Sequence, residues 1–288
     1  MAKSKVGGSR AYIRGRIGAD VYSVGKDGKG SRQQVVRSLA EQVSNPRTES
    51  QMFGRMVMST VMQAVSALKP IIDHSFDGLP TGQPSISEFI RQNYALVKAD
   101  AIAHPASGNK FGLNKYQEKG AKGGAYVIAK GTATVPAALT ANATGLSIQL
   151  TAATLTVGGL KAALGLSADG YATFAALNES KQALIFRVKV DTSLTDDTAI
   201  TSANVASIFS IEGNVAASVG LNENLIYFEA DTDTSITSYG LIVSDHVDGS
   251  WKHNNAVMVP EDNLFWVSNS ALPTYPTGAQ QFLNGGDL

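Results

Sequence analysis

The apolar residues of this chain change their period part-way along it. Between Thr48 and Leu68 they recur every three or four positions, and from about Gly124 onward they recur every second position in short runs. The first pattern lays one stripe along a helix, and the second puts one face of a strand on a core. A chain that carries both in sequence belongs to the α+β class. The expected architecture is an N-terminal β-hairpin plus a two-helix module, followed by a mainly antiparallel β-sandwich-like or barrel-like domain. The corresponding division is 1–124 and 125–288.

The first helix has a defined start. Asn45-Pro46 favours a turn, because proline biases the residue before it away from helix. Thr48 and Gln51 then fit a capping box, and Glu49 sits where the helix dipole favours negative charge. Phe53, Val57, Val61, Ala64 and Leu68 form one stripe that Met52, Met56, Met58 and Met62 widen, and Lys69-Pro70 should end it. Of these, Phe53, Met56, Val57, Val61 and Leu68 are the expected core or assembly face. Ser85 and Glu88 suggest a second capping box, with a stripe of Ile86, Phe89, Ile90, Tyr94 and Val97 that fades before His104-Pro105. Residues 105–124 are rich in Gly, Lys and Asn and read as an exposed connection.

Ahead of the helices, a basic arm runs into strands. Period-two alternation supports a strand over Ala19–Val24, and Gln33–Leu39 reads as its return after the turn at Gly25–Gly30. That turn lacks the spacing of a phosphate-binding loop, and it leads into a strand pattern where such a loop would open a helix. After Gly124 the expected strands are Ala125–Ala129, Leu146–Leu150, Ala183–Val190, Val205–Ile211, Leu225–Ala230, Tyr239–Ser244 and Ala256–Val259, with a short helix at Gly159–Leu166.

Charge divides the chain in a second way. Residues 1–130 hold 19 Lys and Arg against 9 Asp and Glu, and residues 131–288 hold 5 against 15. The neutral total therefore joins a basic half to an acidic half, and each half favours a different neighbour. Lys3, Lys5, Arg10, Arg14, Arg16, Arg32, Arg37 and Arg47, together with Arg55, are the candidate contacts to nucleic acid or to an acidic partner. No groove-reading module accompanies them, so any nucleic-acid binding should be non-specific.

Signals for chemistry are sparse. The chain has no cysteine, which excludes disulfides, thiolate metal sites and cysteine nucleophiles. Asp231-Thr232-Asp233 and Asp196-Asp197 lack the spacing of a calcium loop and read as solvated turns. Asp245–His253 is where histidines and carboxylates cluster, but it offers no nucleophile elbow and no placed third group, so it reads as a polar turn before a final strand. His74 and His104 lie far from it in the chain. Trp251, Phe265 and Trp266 are expected to pack a sheet. The reading is of a non-enzyme with no cofactor and no metal. Nothing after Met-Ala-Lys-Ser-Lys resembles a secretory signal, and no run approaches the roughly 18 apolar residues of a membrane span, so no membrane partner is expected.

Three elements carry a resemblance: Gly15-Arg16-Ile17-Gly18, then Val35-Val36-Arg37-Ser38, then Asn45-Pro46-Arg47-Thr48 with Gln51 and Arg55. They resemble an uncharacterised protein family of gut-type bacteria and their tailed phages, over about residues 10–75. The resemblance implies a virion structural role, with no catalytic residues to carry over. The expected function is a phage-type virion structural or capsid- or tail-associated assembly protein. Its partners would be further copies of itself or other virion proteins, and its location the virion after synthesis in a host cytoplasm. The alternative is a non-specific nucleic-acid-binding protein of the bacterial cytoplasm that holds DNA through the basic N-terminal module.

Overall fold

A computed structural model of the chain describes residues 3–7, 10–26, 32–38, 48–103, 124–178, 182–230 and 236–260. It is an α+β protein of antiparallel sheets and, among the described residues, three α-helices. Two compact units divide between Arg47 and Thr48.

The first unit is a four-stranded antiparallel meander: β1 (Lys3–Gly7), β2 (Arg10–Ile17), β3 (Asp20–Lys26) and β4 (Arg32–Ser38). The expected hairpin is β3–β4, and the basic arm itself supplies two more strands. Part of the expected turn at Gly25–Gly30, and Leu39, lie outside the described residues.

The second unit has three layers. Its centre is a sheet in the order β10-β9-β8-β13-β14, built from β8 (Tyr171–Asn178), β9 (Ala183–Val190), β10 (Phe209–Gly213), β13 (Ile236–Val247) and β14 (Ser250–His253), with β16 (Val259–Pro260) also paired to β13. One face of this sheet is covered by α1 (Glu49–Ile72) and α2 (Gln83–Ala103), together with the small pair β5 (Val127–Ala129) and β15 (Ala256–Val257). The other face packs on a second sheet in the order β11-β12-β7-β6, built from β6 (Leu139–Asn142), β7 (Gly145–Gln149), β11 (Ala217–Asn222) and β12 (Leu225–Ala230). The β-rich part is thus an open sandwich, and neither sheet closes into a barrel. Strand β8 shows the division most clearly: Ala175 and Leu177 join the helix-side core, and Ala172, Phe174 and Ala176 join the core between the sheets. Period two sends successive side chains to opposite faces, and here both faces are buried.

Helix α1 begins as expected, with Thr48 Oγ1 accepting the Gln51 N–H at 3.4 Å. Phe53, Met56, Val57, Val61 and Leu68 are all buried in the helix-side core. They are used within the chain and are not free for a subunit contact. The helix does not stop at Lys69-Pro70; it continues through Pro70 to Ile72. Proline costs most in a helix interior. Here it falls in the last turn, and burial of Ile71 and Ile72 in the core carries the helix past it.

Helix α2 starts two residues earlier than the expected capping box. Pro84 occupies its first turn, where a missing N–H costs nothing. Ser85 is therefore interior and buried, with its hydroxyl donating to Pro80 O at 3.2 Å. Glu88 instead accepts from Arg91 and Gln92. Asn93 faces the core with Phe89 and Val97. Its amide donates to Val127 O at 3.0 Å and accepts the Val127 N–H at 2.8 Å, so a single side chain docks β5 onto the helix.

The division expected near residue 124 follows the change of apolar period, whereas the compact units divide at Arg47/Thr48. Both helices share a core with β8, β9 and β13, which lie in the acidic half. Two expected strands keep their bounds as β9 and β12. Residues 205–208 of another form a 3₁₀ turn before β10, and Ala256–Val259 splits into β15 and β16. The short helix is α3 (Val157–Leu164), capped by the Thr156 hydroxyl at one end and closed by Gly165 at the other. The connection at residues 105–124, apart from Gly124, lies outside the described residues.

Phe174 is fully buried against Phe186, with ring centroids 5.0 Å apart. Phe174→Ala is expected to cost about 3–5 kcal/mol in urea unfolding, while Met62→Ala, on the exposed side of α1, should change stability by less than about 0.5 kcal/mol.

Candidate functional site

Two places concentrate candidate functional residues, one in each unit. In the first unit, the register of the β1–β2 ladder pairs Lys3 with Arg14, Lys5 with Tyr12 and Gly7 with Arg10. Directly opposed residues share a face and alternate ones return to it. Lys3, Lys5, Arg10 and Arg14 therefore occupy positions on one face of that ladder. Beyond Gly15, Arg16 is opposite Val21, and Val21 is opposite Arg37. Arg16 and Arg37 thus form a second row on one face of β2–β3–β4, and both are exposed. Arg16 also ties the β2–β3 turn through Nε to Gly18 O at 2.9 Å. Arg32 sits opposite Lys26, on the reverse face from Arg37. Arg47 lies outside the described residues, and Arg55 is half-buried on α1, its Nη1 3.9 Å from Met52 Sδ.

Apolar side chains of this sheet are exposed at three described positions. Val35 and Val36 are neighbours on β4 and face opposite ways, yet they are 38% and 51% exposed, and Ile17 on β2 is 48% exposed. A sheet becomes stable by burying one apolar face, and here apolar side chains on both faces meet solvent.

In the second unit, a depression of about 710 Å³ opens between the loop after α1 and the β13–β14 hairpin. Asp73, His74 and Asp77 come from that loop, Tyr171 from β8, Arg187 from β9, and Trp251 and His253 from β14. Residues 74 and 253 are brought together, with ring centroids 6.4 Å apart. Arg187 Nη2 lies 2.9 Å from His74 Nε2, and Asp73 Oδ1 lies 2.5 Å from His74 Nδ1. Guanidinium only donates, so the Arg187 contact is a hydrogen bond in the tautomer whose Nε2 accepts and whose Nδ1–H donates to Asp73. The guanidinium carbon of Arg187 also stands 5.2 Å from the centre of the Tyr171 ring. Tyr171, Trp251 and His246 continue as an aromatic wall, at centroid spacings of 5.4 Å and 5.1 Å.

Asp77 works as a structural clamp. One carboxylate oxygen accepts the His253 N–H at 2.8 Å, and the other accepts the Thr132 N–H at 3.0 Å and its hydroxyl at 3.3 Å. The clamp needs glycine at 131, where a Cβ would stand 2.3 Å from His253 O and 2.4 Å from the Asp77 side chain. Ser244 Oγ and His253 Nδ1 form a hydroxyl–imidazole pair at 3.0 Å, with both residues buried. Burial holds the His253 pKa below its ordinary value against the opposing pull of the Asp77 charge. Next to it, Asn254 accepts the Val243 N–H at 2.9 Å and donates to Leu241 O at 3.2 Å, filling the edge of β13 between β14 and β16. The polar groups of this region hold loop, hairpin and sheet together through hydrogen bonds made inside the protein.

The expected polar turn at 245–253 is in fact a tight hairpin. Asp248 and Gly249 both take positive φ, at 52° and 73°, between Val247 and Ser250, which are paired. Such a two-residue turn matches the twist of the flanking strands, and Asp-Gly is its strongest sequence signal. That signal would have found β14 and, with it, the placement of His253. Nothing in the sequence pointed to His74, Asp77 or Arg187. Trp251 lies on β14 and is half exposed, whereas Phe265, Trp266, Asp231 and Asp233 lie outside the described residues.

Among the described residues no group of three His, Asp or Glu side chains could hold a metal, and no helix is long and apolar enough to cross a membrane. No protein-family model, curated protein or solved structure matches this chain.

The lowered pKa of His253 has a signed consequence. Below its ordinary value of about 6.5 the unfolded chain takes up a proton that the folded chain refuses. The His253 contribution to stability is complete above that pH and falls as pH drops toward the lowered folded value, with a slope of at most about 1.4 kcal/mol per pH unit. Urea midpoints measured between pH 7.5 and 5.5 should fall in the native protein and flatten in His253→Gln. Glu88, held at about 2 by Arg91 and Gln92, acts in a separate window below its ordinary range.

Proposed function

We propose that this is an assembly protein of the virion structural type, acting through subunit contacts made by its N-terminal sheet. The observation that carries the reading is the four-stranded meander with uncovered apolar side chains on both faces. Residues 1–47 also hold ten Lys and Arg against three Asp and Glu, so this unit holds most of the positive excess of the basic half. A basic sheet with exposed apolar side chains suits an element that completes its packing in an assembled particle. The acidic C-terminal half of other copies offers complementary charge for such a contact, and opposite potentials steer complementary faces together. Head-to-tail contacts of this kind close into rings or extend as filaments. The resemblance over residues 10–75 supports a phage setting.

A second reading rests on the shared face of Lys3, Lys5, Arg10 and Arg14. Four cations in two adjacent strands suit a phosphate backbone, and the protein would then bind nucleic acid without sequence preference.

The native mass of the full-length protein, free of nucleic acid, separates these readings when measured by light scattering at low and high salt. A discrete multimer is expected, and removal of residues 1–47 should reduce it to a monomer that keeps the fold of the second unit. A monomer at both salts would overturn the assembly reading. DNA affinity that drops steeply with salt, and drops again in a Lys3→Glu, Lys5→Glu, Arg10→Glu, Arg14→Glu variant, would favour the second.

A further inference from the structure

The core between the two sheets of the second unit is not filled. A cavity of about 270 Å³ lies between Leu146, Ile148 and Phe228 of one sheet and Ala172, Val188 and Phe209 of the other. These six side chains are buried, so they form its inner end. Ala168 and Thr192 line it too and are exposed, and Lys161 and Ser167 are half-buried, so the cavity reaches the surface beside α3.

Protein interiors are packed to the density of organic crystals, with few voids larger than a water molecule. This cavity is larger than the ~150 Å³ apolar cavity that stays dry and takes up benzene. Water gains little from the six inner side chains, which are all apolar. An apolar ligand would restore the dispersion contacts that the lining side chains lack.

The mouth differs from the interior. Lys161 lines it, and its Nζ donates to Leu194 O at 3.2 Å and to Asp196 Oδ1 at 2.8 Å. The Asp196 side chain is 70% exposed, and an ion pair so open to solvent is weak enough to exchange for another carboxylate. Ser167 Oγ accepts the His246 N–H at 3.3 Å, which leaves its own proton to donate. An apolar pocket with a few convergent donors at its opening is the usual form of a small-molecule site.

We propose that this cavity binds a medium-chain carboxylate, with the chain between the sheets and the head group at Lys161 and Ser167. The site is independent of the N-terminal sheet and of the assembly reading.

Octanoate and 1-octanol, titrated into the full-length protein, test the assignment. Octanoate should raise the thermal midpoint saturably and shift the methyl resonances of Leu146, Ile148 and Val188 while leaving those of Ile128, in the helix-side core, in place. Ala168→Trp blocks the mouth at an exposed position and should weaken octanoate binding at least tenfold without loss of fold. Lys161→Met should weaken octanoate by about tenfold and leave octanol unchanged. An absence of saturable response to both probes, or an undiminished response in Ala168→Trp, would overturn the site. Equal affinity for octanoate in Lys161→Met would overturn the carboxylate assignment.

Discussion

Beyond Tyr171, strand β8 has no solvent-facing side, and the second unit is organised by that constraint. Its residues must satisfy two cores at once, so each position is limited by the layer above or below it. Alanines at 172, 175 and 176 let the helices and the second sheet approach closely, while Phe174 and Leu177 fill the space that remains. The helices cover one face because α1 and α2 each present a single apolar stripe, and the second sheet covers the other because β7 and β12 alternate. A polar side chain in the middle of β8 would therefore disturb both layers together.

The same constraint explains what could be read from the sequence. Helix α1 was legible in its N-cap and in its stripe, because an amphipathic helix at a core boundary keeps its period. Strands β9 and β12 were legible in full for a similar reason. Strand β8 was not: Tyr-Ala-Thr-Phe-Ala-Ala-Leu-Asn has no alternation, since beyond Tyr171 neither of its faces turns to water. The polar cluster was hidden by distance. Asp77 and His253 are 176 residues apart, and only the β13–β14 hairpin and the loop after α1 bring them into contact. The charge division was plain in the sequence, but it does not follow the packing, because charge lies mainly on surfaces while the helices are held by apolar stripes.

Burial and hydrogen bonding divide the work around that polar cluster. Asp77 ties one strand terminus to a loop, Asn254 completes the edge of β13, and Asn93 does the same for β5 from the helix side. In each case a side-chain amide or carboxylate substitutes for a missing stretch of strand, and buried backbone groups stay paired. The irregular edges of the central sheet are sealed in this way without lengthening its strands.

The place of β13 also bears on the order of folding. Strands β8 and β9 form a local hairpin, but the other edge of β8 pairs with a strand that begins about 60 residues later, as the Thr237 hydroxyl donating to Leu177 O illustrates. Loop closure over that distance comes late, and long-range antiparallel pairing slows folding. A growing chain therefore holds an apolar hairpin with one unpaired edge until β13 has been made. That interval, and not the finished fold, is when this protein is most open to pairing with the wrong strand.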